Sequence, residues 1–149
     1  MMLYVTYWTG NDIFAIAAPE IELVLPYASL KVTPKLHPAF AGTLNFHSEP
    51  VPVLDANVLL GATPVQEMVN TRILLCPGTE ATRWRRFGLA AERVTAELRF
   101  NEDEFVPAPA GNAGTAFAGP LARWQGRLIQ RITPSQVVTP SVREQLWPA

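Results

Sequence analysis

Few residues of this chain have the types and spacing that covalent or metal chemistry requires. The 149 residues include only two histidines, His37 and His47, and one cysteine, Cys76. A zinc site needs three or four such ligands, usually closely spaced, so we expect neither a bound metal nor a cofactor. The sequence also contains no G-x-S-x-G elbow, no glycine-rich phosphate loop and no G-x-G-x-x-G fingerprint. We therefore predict that the protein is not an enzyme.

The clustered charges and the single thiol have structural interpretations that we prefer. Adjacent acids in a polar turn, as at residues 102–104, are more often a solvated tip than an acid–base pair. The basic run at residues 83–86 could bind an anionic partner or stack a base. More simply, it is a charged approach to a strand that discourages edge pairing. Cys76 ends the apolar run 73–76, which predicts a small buried hydrophobic side chain rather than a reactive thiol.

Two further residues have alternative interpretations. Asp55 follows an apolar strand and could be a catalytic carboxylate, although Asp in this position more often accepts backbone hydrogen bonds at a turn. His47 could be a pH-sensitive contact or simply an exposed residue of a β-hairpin. The sequence does not decide between these two roles for His47.

Composition limits the class of protein. Hydrophobic residues make up 48% of the chain and charged residues 17%, which indicates one globular domain with a large core. The net charge of −1 argues against general nucleic-acid binding, because neutralising phosphates needs a basic surface. The N-terminal residues 1–8 lack the features of a signal peptide, and no apolar run approaches the length of a membrane span. We expect a cytoplasmic protein with no direct membrane insertion.

The elements that position these residues are predicted to be short and mostly β. Fourteen prolines and nine glycines divide the chain into brief segments. Single helical turns or short helices are expected at 19–21, from Thr63, from Thr133 and from Thr139 to Leu146. The predicted strands are 3–8, 13–16, 23–25, 42–46, 51–54, 72–76, 86–91, 94–100, 117–121 and 126–132. This pattern favours small closed or nearly closed β-barrels.

One stretch carries a more specific signal. Residues 42–55 have the layout of G-x-x-N-x-R-G-x-x-x-P-x-x-D-L, and Gly42, Asn45, Pro52 and Asp55 fall on its defined positions. This segment is found in the CheW-like family, the adaptors of bacterial chemosensory arrays, and the chain resembles that family. Further fragments occur in the family's order and extend the resemblance over nearly the whole chain. They are 21–26 (V-x-E-V-L-P in the family), 38–42 (P-x-x-x-G), 87–94 (x-G-L-x-V-D-x-V) and the closing strand 124–132.

The resemblance implies a fold and a function. The fold would be a single CheW-like domain over residues 1–149, made of two five-stranded β-barrel subdomains with short helices and a C-terminal helix. The function would be non-catalytic coupling of a chemoreceptor's cytoplasmic tip to the regulatory domain of a CheA-like histidine kinase. A receptor groove would lie near the junction of the barrels, while the kinase-contacting residues are not identified. By resemblance, the residues on or near that groove are Ile21, Leu23, Gly42, Asn45, Phe46 and His47.

Two departures from the family pattern are linked. His47-Ser48 stands where the family usually has Arg-Gly, and Leu23 replaces the acidic residue of the E-V-L-P segment. If the family positions form an ion pair, losing one partner would strand a charge, whereas losing both can be nearly neutral. This favours an altered contact and an adaptor of a pathway other than standard chemotaxis. The second half resembles auxiliary adaptors of surface-sensing pathways.

The alternative function is a small cytoplasmic β-barrel that binds a low-molecular-weight ligand in its interior. Such a site needs a cavity with a few converging polar groups. The predicted strands instead offer valine, isoleucine, leucine and phenylalanine with almost no polar residues. We therefore expect the interiors to be filled, which favours the adaptor.

Overall fold

The computed structural model describes residues 1–32, 37–109 and 119–148, without the side chain of Glu97, and the described chain is mostly β. The helices are α1 (Ala56–Leu59), α2 (Pro134–Val137) and α3 (Pro140–Leu146), with single 3₁₀ turns at Ala18–Glu20, Glu80–Thr82 and Glu102–Glu104. The strands are β1 (Met2–Thr9), β2 (Asp12–Ala17), β3 (Leu23–Pro26), β4 (Phe40–Phe46), β5 (Glu49–Asp55), β6 (Arg72–Cys76), β7 (Phe87–Phe100), β8 (Leu121–Trp124) and β9 (Arg127–Arg131).

Strand β7 belongs to two sheets. The first sheet has the strand order β7-β1-β2-β9-β8, and in it the second half of β7 pairs with β1. The second sheet has the order β3-β6-β7-β5-β4, and in it the first half of β7 pairs with β6 and β5. The sequence predicted two strands here, 86–91 and 94–100, and that prediction is wrong. Two register shifts against β1 and a φ of +48° at Arg93 bend the strand without ending it. The interruption in the sequence pattern marks where β7 changes partners.

Each sheet curls so that its two edges approach each other. In the second sheet, Lys31 follows β3 and forms a bridge with Thr43 of β4, with two N–H to O distances of 2.9 Å. In the first sheet, Val106 follows β7 and forms a bridge with Leu121 of β8. The two sets of five strands agree with the expected fold. Within the described residues only these isolated bridges join the edges, so closure of either barrel by a continuous ladder stays a prediction.

The side chains of the strands alternate between three cores. Along β6, Ile73 and Leu75 point into the curl of the second sheet, whereas Leu74 and Cys76 point into a central core between the sheets. Along β2, Ile13 faces the core of the first sheet and Phe14 faces the central core. Both faces of these strands are therefore buried, which explains their nearly continuous apolar sequences.

The helix predicted at Thr63 is absent, and a helix begins eight residues earlier. The Asp55 carboxylate accepts hydrogen bonds from the N–H groups of Asn57 and Val58 and so caps α1. The N–H of Val65 also donates to Asp55, and that of Gln66 donates to Glu92. These bonds hold the segment after α1 without helical structure, so the capping-box pattern at Thr63 is overridden.

The C-terminal segment largely follows the prediction. Helix α3 begins after Thr139, whose Oγ1 accepts a hydrogen bond from the N–H of Val142 at 3.3 Å, and α2 follows Thr133, whose side chain makes no such bond. The first two residues of the strand expected at 117–121 lie outside the described residues; residues 119–120 are not in a strand, and β8 begins at Leu121. None of the described helices has the length and apolarity needed to span a bilayer.

Candidate interaction surface

The strand register gathers four chain segments at one end of the second sheet. Leu23, the first residue of β3, lies opposite Leu75 near the end of β6, and Phe87, the first residue of β7, lies opposite Cys76. Strand β5 runs parallel to β7, so its first residues and the β4–β5 turn reach the same end. The start of β3, the end of β6, the turn at 46–49 and the approach to β7 therefore converge.

Arg86 links these segments. Its Nε lies 2.8 Å from Oε1 of Glu22, and its Nη1 lies 2.9 Å from Oε2 of Glu49. Its Cζ lies 5.7 Å from the ring centroid of Phe46. The hydrogen bonds that Arg86 donates, first to Glu22 and then to Glu49, hold the pKa of its guanidinium above the usual value. We call Glu22, Phe46, His47, Glu49 and Arg86 the Arg86 cluster.

His47 stands at the tip of this cluster. His47 and Ser48 have φ values of 49° and 69°, the left-handed conformation that a two-residue hairpin of the primed type requires at both positions. The His47 ring meets the Phe46 ring edge-on, with centroids 4.4 Å apart. His47 is exposed, as expected of a hairpin residue. Its role as a pH-sensitive contact stays a prediction.

The residues assigned to the groove by resemblance fall into two groups. Leu23, Asn45 and His47 are exposed and Phe46 is half-buried, and all four lie at or next to the Arg86 cluster. Ile21 is half-buried against the central core, two residues before Leu23. Their contact with a partner stays a prediction.

Gly42 behaves differently from this group. It is buried, with φ at +149°, and a Cβ there would lie 2.7 Å from Cβ of Leu30 and 3.0 Å from the carbonyl oxygen of Lys31. The close backbone approach predicted at Gly42 exists, but it is made by the chain's own segment. Whether Gly42 also contacts a partner stays a prediction.

The two motif residues of β5 have structural roles. Both oxygens of Asp55 are occupied by backbone N–H groups, from Asn57 and Val58 at 2.9 and 3.0 Å and from Val65 at 2.9 Å. This confirms the backbone acceptor rather than the catalytic carboxylate. Pro52 is buried and pairs only with β4, since β5 pairs with β7 from Val53 onward. Its missing N–H therefore interrupts no ladder bond with β7.

Sequence reasoning missed the partners of Arg86. It treated residues 83–86 as one basic run, but its arginines are used separately. Arg83 pairs with Glu144 and also donates to the Trp147 carbonyl oxygen, which ties the loop before β7 to α3. Glu22, Glu49 and Arg86 are far apart in the chain, so only the strand register could have brought them together. Because the chain's own acids satisfy Arg83 and Arg86, the structural interpretation of this run is favoured.

Side chains fill the interiors of both curled sheets. The core of the first sheet is built from residues such as Tyr4, Phe100 and Ile129, and that of the second from residues such as Val51 and Ile73. A ligand inside either sheet would have to displace these side chains. The surface of the Arg86 cluster is therefore the better candidate for function.

Comparison with known proteins identifies the family and the fold of this chain. The family model described as "CheW-like domain" matches residues 3–140. Among solved structures, the scaffolding protein TtCheW from Thermoanaerobacter tengcongensis is similar, with a TM-score of 0.75, 18% sequence identity and 88% of each chain covered. At this identity the likeness shows the fold alone. A comparison with curated proteins finds no match. Because the family model spans most of the chain, this protein belongs to the CheW-like domain family.

Proposed function

We propose that the protein is a non-catalytic adaptor that couples chemoreceptors to a CheA-like histidine kinase in a cytoplasmic chemosensory array. The observation that carries this proposal is the family match over residues 3–140. The candidate surface agrees with it, because its side chains form ion pairs and an aromatic contact rather than a set of groups poised for reaction.

The partner of the Arg86 cluster is proposed to be the receptor tip. Leu23 is 44% exposed beside Glu22, and its side chain gives this end of the sheet a small apolar patch. Arg86 is paired with two carboxylates, so these three groups carry a net charge of −1 beside the patch. An amphipathic helix that lays its apolar face on such a patch is a common recognition mode.

The altered positions are proposed to change which receptor is bound. Leu23 and His47 replace the family's acid and arginine, while Arg86 supplies an arginine–carboxylate network from the loop before β7. A receptor whose charges complement the family's acid–arginine pair would meet an apolar side chain at position 23 instead of a carboxylate. We therefore propose a receptor of a pathway other than standard chemotaxis.

Titration calorimetry tests the adaptor function. The protein is titrated with the regulatory domain of the CheA-like kinase and with receptor tip fragments of the same organism. Contacts of this transient type bury about 1,200 Å² or less. We expect micromolar affinity, about −8 kcal/mol. If neither partner produces heat at high micromolar concentrations, the adaptor function is wrong.

Charge substitutions test the receptor surface. Leu23→Glu places an unpaired carboxylate in the apolar patch and should weaken receptor binding about tenfold or more. Leu128→Glu is the matched control, because Leu128 is also an exposed leucine but lies on β9 of the first sheet. The double variant Leu23→Glu/His47→Arg rebuilds the family's pair, so it should be more stable than Leu23→Glu alone and should shift binding toward receptors of standard chemotaxis. Equal effects of the two leucine substitutions would place the receptor surface elsewhere.

A further inference from the structure

Two arginines lie over one tryptophan at an end of the first sheet. Strand β2 runs parallel to β9, so the β1–β2 and β8–β9 turns reach this same end. The Cζ atoms of Arg93 and Arg127 lie 4.8 and 4.9 Å from the ring centroid of Trp8. The ring is half-buried against the core of the first sheet, whereas both arginines are exposed. We call these three residues the Trp8 site, and the proposed receptor surface on the second sheet does not account for it.

The backbone next to each arginine has an unusual conformation. Arg93 has φ at +48°, a left-handed conformation, and it lies where the register of β7 shifts against β1. Such bulges re-aim a side chain, and strained residues of this kind cluster at functional sites. Arg127 directly follows the tight turn of Gln125 and Gly126, whose φ values are 50° and 74°. The strain at Arg93 therefore indicates that the placement of its side chain over the ring serves a function.

Hydrogen bonds hold both guanidinium groups in place. Nη2 of Arg93 donates to the carbonyl oxygen of Gly10 at 2.5 Å, and Nη2 of Arg127 donates to that of Asn11 at 2.7 Å. Each guanidinium has further N–H groups. The ion pairs of the described residues involve other arginines. Within the described part of the chain, two cations are thus fixed on one ring without a carboxylate partner.

The surroundings of the Trp8 site narrow the type of anion. A guanidinium group pairs well with either a carboxylate or a phosphate. Asp12 begins β2, and Glu92 lies opposite Trp8 in the register of β1 with β7. The charges of these two acids offset those of the two arginines, so a polyanion such as a nucleic acid would gain little here. A short segment with two carboxylates can instead pair with each guanidinium directly.

We propose that the Trp8 site binds an acidic segment of a partner protein, with one carboxylate on Arg93 and a second on Arg127. Because the ring and the two carbonyl oxygens already fix both cations, binding requires little further ordering of their side chains. The proposal goes beyond the adaptor function and does not depend on it, since it uses neither the Arg86 cluster nor the family match.

The test uses a tetraglutamate peptide with blocked termini as the probe, and the corresponding tetraglutamine peptide as its neutral control. Each peptide is titrated into the isotopically labelled full-length chain. The indole N–H signal of Trp8 and the Nε–H signals of Arg93 and Arg127 are followed by NMR. We expect saturable shifts of all three signals with tetraglutamate and none with tetraglutamine. Added salt should weaken the binding, because the pairs are exposed.

Substitutions assign the binding to the two arginines. Arg93→Gln and Arg127→Gln should each weaken tetraglutamate binding by up to about fivefold, and the double variant should abolish it. Arg123→Gln is the matched control and should leave binding unchanged. Arg123 is also exposed, but it pairs with Leu128 and so lies on the opposite face of the β8–β9 hairpin from Arg127. The amide spectrum of each variant shows whether its fold is intact.

Three results would overturn the proposal. The first is the absence of saturable shifts at the Trp8 site with tetraglutamate. The second is equal binding of tetraglutamate by the wild type and by a folded variant that lacks either arginine. The third is tighter binding of inorganic phosphate than of tetraglutamate, which would make this a phosphate site. None of these results bears on the receptor and kinase titrations, so the adaptor function stands or falls separately.

Discussion

Replacing Gly42 by alanine should destabilise the fold before it affects any partner. A φ of +149° is strained for a residue with a side chain, at a cost of about 1–3 kcal/mol. The added Cβ would also lie 2.7 Å from Cβ of Leu30, and overpacking of this kind costs about 1–3 kcal/mol. The two costs together amount to about 2–6 kcal/mol, a large fraction of the roughly 5–15 kcal/mol that stabilises a typical domain.

Gly10→Ala is the matched control. Gly10 has φ at +58°, but no atom lies within 4 Å of the position of its Cβ. It should therefore show only the conformational cost, about 1–2 kcal/mol. Denaturant unfolding compares the two variants with the wild type. Hydrogen exchange at the amides of Lys31 and Thr43 should rise in Gly42→Ala, because the clash pushes apart the two hydrogen bonds of that bridge.

Equal destabilisation by the two alanine substitutions would show that Leu30 and Lys31 yield without cost, and the steric argument would be wrong. A second variant separates folding from docking. If Gly42→Lys kept wild-type stability and lost receptor binding, Gly42 would be part of the contact surface after all.

Three further predictions concern buried polar groups. Asp55→Ala removes three charge-assisted backbone hydrogen bonds and should lower the free energy of denaturant unfolding by about 2–4 kcal/mol. The control Asp12→Ala, at an exposed position, should change that free energy by about 0.5 kcal/mol or less. Similar losses of stability in the two variants would argue against the cap at Asp55. Because burial raises the pKa of Glu20 above 4.5 despite Arg131, the folded state binds the proton more tightly, and stability falls as pH rises through the folded pKa. Glu20→Gln should therefore melt at a higher temperature than the wild type at neutral pH and at a similar temperature below pH 4.5. If the difference in melting temperature did not depend on pH, the Glu20 carboxylate would not be desolvated. Burial also raises the pKa of the Cys76 thiol, so a thiol reagent should label it only after unfolding, and rapid labelling of the folded chain would show that the central core opens.

Features determined by neighbouring residues could be predicted from the sequence. The apolar run of β6, the cap at Thr139 and the backbone acceptor at Asp55 each depend on a few adjacent positions, and the structure confirms them. The helix predicted at Thr63 failed because Asp55 and Glu92 bind the N–H groups of that segment from a distance. A local pattern contains no information about such competitors.

The candidate surface could likewise be predicted only in part from local sequence patterns. Leu23 and His47 could be assigned by resemblance, but the Arg86 cluster joins residues from three separate segments. Their pairing follows from the parallel alignment of β5 with β7, which no short motif encodes. The partner of Gly42 was likewise hidden, because the segment at residues 30–31 folds back onto β4 from the loop after β3.

The path of β7 determines how the molecule can come apart. Its 14 residues supply a strand to each sheet. A cut at Arg93 would leave the second sheet with all five strands, but it would separate β1 and β2 from the other strands of the first sheet. The fragment after Arg93 should therefore not fold alone, and unfolding of the intact chain should follow a single transition when fluorescence is compared with circular dichroism. Met2 pairs with Phe100, so the first sheet forms only after most of the chain has left the ribosome. Truncated translation products would then expose apolar strands, and they would be substrates for chaperones and proteases.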